Sequence, residues 1–202
     1  MYPADVTADY GDGMRSRGLA ALGILFPLKA LLAVPHLIIL YFLNAAAGIV
    51  AWIGYWVVAF TGELPEFFFS FPERVLAWQV RTYGYLFQLT DVYPPFEWET
   101  AQPYPVAFTV TESPGPRSRG LAVLGIVFWL KAIALIPHII ILTFVALAAV
   151  ITNWIAFWII LFTGTFPQGM FDFVLGVFRW TTRLSAWLYT LTDEYPPFSL
   201  QA

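Results

Sequence analysis

Long apolar runs separated by single charges dominate the chain. From His36 to Phe60, and again from His138 to Phe162, about 25 residues pass without an Asp, Glu, Lys or Arg. As helices these segments are long enough to cross a bilayer with some tilt. Each is preceded by about sixteen apolar residues carrying one Lys, over 18–34 and 120–136, and ending at Pro35 or Pro137. Such a helix reaches roughly 24 Å, short of a hydrocarbon core of about 30 Å. It reads as an interfacial or re-entrant helix whose Lys29 or Lys131 snorkels to phosphates, with a third full span per unit as the competing reading. Pro35-His36 and Pro137-His138 then form a hinge between this helix and the principal span.

A second periodicity follows. Over 66–90 and 168–192 the chain is apolar except along one line at steps of three and four, which keep it on one helix face. In the second segment the line is Asp172, Gly176, Arg179, Arg183, Ala186, Thr190; in the first it is Ser70, Arg74, Ala77, Arg81, Gly84, Gln88. Thr61-Gly62 with Pro65, and Thr163-Gly164 with Pro167, end the preceding helices. A different rhythm appears at 105–111, where Val106, Phe108 and Val110 alternate with Ala107, Thr109 and Thr111. That is a strand pattern, repeated more weakly at 4–10. Gly11, Gly13, Pro114 and Pro116 break the chain after each strand.

Every one of these features occurs twice. Sliding the sequence by 102 positions pairs Arg15-Ser16-Arg17 with Arg117-Ser118-Arg119 and Tyr93-Pro94-Pro95-Phe96 with Tyr195-Pro196-Pro197-Phe198, without a gap and with about half the positions identical. The chain is therefore a tandem duplication, with repeats at 1–101 and 102–202. The predicted fold is an all-α integral membrane protein, each repeat holding a short strand, an interfacial or re-entrant helix, a long transmembrane helix and a second amphipathic transmembrane helix. Two crossings per repeat put both Arg-Ser-Arg segments on one side, opposite the base-free loops 61–66 and 163–168, as the positive-inside rule asks. The expectation is four spans, cytoplasmic termini and parallel repeats about an axis along the membrane normal.

Composition narrows the class. With 59% hydrophobic residues, 11% charged and a mean hydropathy of +0.71, the chain has too little polar surface to cover itself in water. Aromatics at 19%, nine of them Trp, suit headgroup belts. A net charge of -3 leaves no basic footprint for nucleic acid. The absence of Cys excludes disulfides, thiolate metal sites and cysteine nucleophiles. The acidic N-terminal stretch lacks the basic and apolar regions of a cleaved signal, so no cleavage is expected.

Several short words recur in order at matching spacing: Ile-Pro-His138, Phe162-Thr-Gly-x-x-Pro, Phe171-x-Phe, Arg179-Trp-x-x-Arg183 and Leu-Thr-Asp-x-Tyr-Pro-Pro-Phe198. In this pattern the chain resembles the bacterial membrane family catalogued as domain of unknown function 4389 (DUF4389), twice over. The first repeat departs from it at Glu73-Arg74 and Ala77, where the second has Leu175-Gly176 and Arg179. The resemblance implies a multi-pass protein of the bacterial cytoplasmic (inner) membrane and brings no activity, cofactor or catalytic residue.

The polar groups define the chemistry open to the chain. His36 and His138 are the two histidines, at equivalent depth; they either ligate a haem, a chlorophyll-type pigment or a metal, or pair with carbonyls freed by the adjacent prolines. Two His without Cys or carboxylates make an incomplete metal site, so no metal is assigned. Arg15, Arg17, Lys29, Arg117, Arg119 and Lys131 are the expected contacts to lipid and interface. Arg74, Arg81, Asp172, Arg179 and Arg183 form an intramembrane polar stripe that either lines a solute path or is satisfied by carbonyls and by Asp172, Asp91 and Asp193. No nucleophile–base constellation appears, so no enzymatic activity is expected. The expected function is a structural or accessory membrane subunit or self-associating scaffold, with the lipid bilayer, other subunits or further copies as partners. A small transporter or channel using Arg81 and Arg183, and a pigment- or haem-binding subunit using His36 and His138, are the alternatives.

Overall fold

The computed structural model describes residues 2–25, 28–98, 100, 102–112, 115–127 and 130–201, the Leu25 side chain excepted. Among them β1 (Ala4–Ala8) leads to α1 (Arg17–Leu25), α2 (Leu28–Thr61) and α3 (Glu66–Leu86). The second repeat gives β2 (Val106–Val110), α4 (Arg119–Ile126), α5 (Leu130–Ile133), α6 (Ile136–Thr163) and α7 (Gln168–Leu188). The fold is thus mostly helical with a small two-stranded sheet. Two helices, α2 and α6, are long and apolar enough to cross a membrane. The helices α3 and α7, expected from sequence to cross as well, are not among these, and Arg179 and Arg183 of α7 turn toward β1.

The hinge expected at Pro-His is absent from the first repeat. There α2 runs unbroken from Leu28 through Pro35. Proline removes one ladder donor and crowds the preceding turn; in α2 a tyrosine supports that turn, Tyr93 donating its hydroxyl to the Leu32 carbonyl at 2.8 Å. In the second repeat the chain does break, α5 ending at Ile133 and α6 starting at Ile136 with Pro137 in its first turn. Pro27, Pro114 and Trp129 lie outside the described residues. The glycine stops hold: Gly62 and Gly164 adopt φ of 79° and 81°, and their amides donate to Val58 and Ile160 carbonyls at 2.8 Å. By contrast α3 and α7 stop before Thr90 and Thr192, because Gln88 and Thr190 take φ of 62° and 60° and close six-residue turns, Leu89 N–H to Gly84 O and Leu191 N–H to Ala186 O, both 2.9 Å.

The strands decide how the repeats meet. β1 and β2 pair antiparallel with Val6 opposite Phe108, its own counterpart 102 positions on. A pseudo-two-fold axis therefore passes through this pair, normal to the sheet. Ala4, Val6, Val106 and Phe108 are buried against α7 and α3, while Thr7 and Thr109 face outward, so the alternation read from the sequence sets the inner and outer faces. The same axis exchanges helices: α1 packs on α6 and α4 on α2. Glycines permit this approach, since a Cβ on Gly23 would stand 2.2 Å from the Phe157 ring and one on Gly125 2.8 Å from Tyr55.

A two-fold normal to an antiparallel ladder reverses what runs perpendicular to the axis, and α4, with Arg119 at Thr61 and Gly125 at Tyr55, runs antiparallel to α2. Tyr55, near the end of α2, lies 5.0 Å from the Lys131 ammonium at the start of the other repeat's helices. These contacts do not support the parallel arrangement expected from charge placement. Arg117 N–H donates to Gly62 O and Arg15 N–H to Gly164 O, both at 2.8 Å. Each Arg-Ser-Arg segment thus sits on the Thr-Gly turn it was expected to oppose across the membrane. Around the axis, Val6 and Phe108 join Leu76, Val80, Val174 and Leu175 in the main core.

Candidate functional site

The repeated words assemble into two matching clusters. In each, an indole N–H donates to the Nδ1 of histidine at 2.9 Å: Trp78 to His36 and Trp180 to His138. The Phe of Tyr-Pro-Pro-Phe stacks on the imidazole, with centroids 3.8 Å apart for Phe96 and 3.7 Å for Phe198. The Tyr of the same word packs against the ring at 5.1 and 5.2 Å and donates its hydroxyl to the carbonyl four residues before the histidine, Leu32 or Ala134. Tyr-Pro-Pro-Phe is therefore a strap that closes over Pro-His. Two prolines keep it extended, which presents Tyr and Phe to one helix turn.

This geometry settles the imidazole's protonation. An indole N–H can only donate, so Nδ1 must accept and the proton of the neutral ring sits on Nε2. A nitrogen carrying a proton has no lone pair for iron, magnesium or zinc. The pigment or haem reading of His36 and His138 is thus disfavoured by the tautomer, and both rings are fully buried.

The cations expected at the lipid surface mostly turn inward. Lys29 and Lys131 are each 2% exposed, too buried to reach a headgroup. Lys29 lies 4.6 Å over the Tyr85 ring and 3.9 Å from Asp91; Lys131 lies over the Tyr55 and Trp187 rings at 5.0 and 4.7 Å. Burial pulls Lys131 down from its ordinary range to about 7, against the opposing pull of Asp193. Arg15 donates from Nε to Gln88 O and from Nη2 to Leu89 O, both at 3.0 Å, stopping the end of α3. Arg119 donates to Thr61 O at 3.0 Å at the end of α2, and Arg17 stands beside Gly164 at the matching end of α6. Arg117 is buried beneath the face of Phe69, 3.9 Å from Glu112. Asp91 and Asp193 accept from Ser16 N–H and Ser118 N–H at 2.6 Å, tying the close of each repeat to its opening.

The polar stripe divides. Arg74 and Asp172 are exposed. Arg183, 1% exposed, donates from Nη1 to Gln201 O at 2.7 Å, from Nε to Ala4 O at 3.3 Å and from Nη2 to the Asp5 carboxylate at 3.2 Å. Arg179 joins it, with Nε 2.9 Å from Val6 O and 3.3 Å from Asp5. At the symmetry-related site Ala77 of the first repeat and Ala107 of the second stand in place of Arg179 and Asp5, and Arg81 instead donates to Glu97 O at 2.7 Å. The acidic partner is thus Asp5, on the strand of the other repeat, and not Asp172, Asp91 or Asp193. The residues missed from sequence are Asp5, Trp78 and Trp180; the equal 42-residue spacing of His and Trp in both repeats was the available signal.

Among the described residues no group of three or more His, Asp or Glu could hold a metal. The fold and its clusters define a duplicated, mostly helical protein whose repeated motif residues are consumed in joining strap, strand and helix, with two long apolar helices beside them. Residues 26–97 and 126–199 each match the family described as Domain of unknown function (DUF4389), and the chain belongs to it. No curated protein and no solved structure matches the chain.

Proposed function

We propose that the protein is a non-enzymatic membrane scaffold of the bacterial cytoplasmic membrane that lies in one leaflet, with α2 and α6 antiparallel in the membrane plane and the pseudo-two-fold axis along the membrane normal. The observation that carries this is the exposure of apolar side chains along the whole of both helices. On α2 these include Phe42, Trp52, Trp56 and Phe60; on α6 they include Phe144, Leu147, Trp154 and Phe162, with Phe60 and Phe162 75% and 73% exposed. Patches of this size mark a membrane or partner surface.

Three arguments favour lying over crossing. At 1.5 Å per residue α2 is roughly 51 Å long and α6 roughly 42 Å, from their 34 and 28 residues. Crossing a core of about 30 Å would leave turns of each helix outside it, and even the uncharged runs 36–60 and 138–162 would need a tilt of roughly 37°, near the top of the usual range of about 0–40°. Crossing would also place the axis, and with it the two-stranded sheet bearing Asp5, Thr7 and Thr109, at mid-bilayer, where open strand edges are not tolerated. Finally, it would put the two basic Arg-Ser-Arg segments on opposite sides. Lying flat, a helix about 10–12 Å across fits within one leaflet of about 15 Å and leaves sheet and arginines in water.

The native chain lacks Cys, so single cysteines report the arrangement directly. Asp12→Cys, Glu66→Cys and Gln168→Cys, each at an exposed position, are expected to react with an impermeant maleimide from the same side of sealed vesicles, and the protein to resist alkaline extraction. Labelling of Glu66→Cys and Gln168→Cys from opposite sides would overturn the in-plane arrangement; release into the alkaline supernatant would overturn membrane embedding itself.

A further inference from the structure

The second buried lysine opens onto a groove. A cavity of about 500 Å³ lies along the middle of α2, floored by Ala45, Gly48 and Ala51, walled by Trp52 and Tyr55, and ended by Lys131. That volume is ordinary for a site that holds a small molecule. The Lys131 ammonium is 2% exposed, and its Nζ has no hydrogen-bond or ion-pair acceptor among the described residues. Its neighbours are the faces of Tyr55 and Trp187, which attract a cation without neutralising it. An amine buried in this way, inside an apolar groove, feels the pull of Asp193 but has no anion within bonding distance among the described residues.

The pseudo-symmetry supplies an internal comparison. The positions equivalent to Ala45, Gly48 and Ala51 are Leu147, Val150 and Asn153. Asn153 is drawn inward, its Oδ1 accepting from Gln88 Nε2 at 2.8 Å. The equivalent lysine, Lys29, has its carboxylate, Asp91, at 3.9 Å. The groove positions on α6 therefore carry larger side chains than those on α2, and among the described residues no carboxylate stands within ion-pair distance of Lys131.

We propose that this groove binds a single-chain fatty carboxylate, its carboxylate on Lys131 Nζ and its chain along Ala45, Gly48 and Ala51. One acyl chain suits the groove. The burial of Lys131 under two aromatic rings favours a small terminal carboxylate over a phosphodiester headgroup bearing two chains. This goes beyond the membrane placement proposed above and does not depend on it, since the groove and its cation belong to the folded chain in either orientation.

The test uses the purified full-length chain in maltoside detergent with cis-parinaric acid as probe. Energy transfer from tryptophan reports only dye held beside the protein. Oleate is expected to displace the probe about tenfold or more better than oleyl alcohol, which has the same chain without the charge, since a charge-assisted bond contributes roughly 1.5–3 kcal/mol. Lys131→Met should remove that preference and leave oleyl alcohol unchanged. Lys29→Met should keep it, and Gly48→Leu should exclude both competitors. Equal displacement by oleate and oleyl alcohol in the native chain overturns the proposal without recourse to any variant. So does a preference that survives Lys131→Met, binding that survives Gly48→Leu, or displacement by dioleoylphosphatidylglycerol as strong as by oleate.

Discussion

Removing the Asp5 carboxylate should unfasten the two repeats from each other. Asp5 stands on β1 of the first repeat and holds Arg183 and Arg179 of α7 in the second, at 3.2 and 3.3 Å. Truncating one member of a buried ion pair strands the other charge, which costs about 3–5 kcal/mol when both are fully buried. Here the Asp5 side chain is 17% exposed and that of Arg179 20%, whereas that of Arg183 is 2% exposed. Partial solvation relieves Arg179 more than Arg183, so Asp5→Ala is expected to cost about 2–3 kcal/mol. Arg179→Ala alone should cost less, about 1–2 kcal/mol, because it removes one bond to Val6 O and leaves the Asp5–Arg183 pair intact. The symmetry-related site already carries the double replacement, Ala107 of the second repeat with Ala77 of the first, and its Arg81 is served by carbonyls. Asp5→Ala/Arg179→Ala should therefore cost less than the sum of the single losses, by about 1 kcal/mol. The assay is reversible unfolding in mixed dodecyl sulfate and maltoside micelles, followed by tryptophan fluorescence. An Asp5→Ala loss below about 1 kcal/mol, or strict additivity in the double variant, would refute the idea that this carboxylate neutralises a buried arginine pair.

Other outcomes follow from the same geometry. His138→Leu leaves the Trp180 indole N–H buried without its acceptor and should destabilise by about 1–3 kcal/mol, with a red shift in tryptophan emission as the strap loosens; an unchanged unfolding midpoint would show the bond is dispensable. Lys131 falls to about 7 when folded, from about 10.5. Between those values the unfolded chain carries a proton that the folded chain has lost, so stability should rise with pH through this window and decline as pH falls toward 7. Asp193 and Arg117 bias this titration, Tyr55 and Trp187 face the amine, and Lys131→Met should flatten its share of the slope; identical pH profiles for both proteins would count against it. Gly176→Ala would bring a Cβ to 2.8 Å from the Leu200 carbonyl oxygen, so it should displace the C-terminal tail, weaken Arg183's bond to Gln201 and cost about 1–3 kcal/mol; a proteolysis pattern unchanged at that tail would contradict it.

Much of the local structure was legible in the residues. Period-two alternation marked both strands, and uncharged runs marked α2 and α6, because face and length depend only on neighbours along the chain. Gly62 and Gly164 stopped their helices where a residue free to adopt positive φ was placed. The candidate site was legible only as separate words. Pro-His and Tyr-Pro-Pro-Phe stand about sixty residues apart in each repeat, and nothing in either word names the other.

The duplication and the positions of the two long apolar helices belong to the sequence by itself, since each is a matter of composition or short-range pattern. The direction in which the repeats face each other belongs to the tertiary structure. Five residues of β1 and five of β2 pair antiparallel, and that one choice carries α1 and α4 across to the other repeat and sets each Arg-Ser-Arg on the turn it was expected to oppose. Charge placement could not anticipate this, because the acceptors that satisfy Arg15, Arg119 and Arg183 are largely backbone carbonyls. Every residue carries such a carbonyl, so only the fold selects which ones meet a guanidinium.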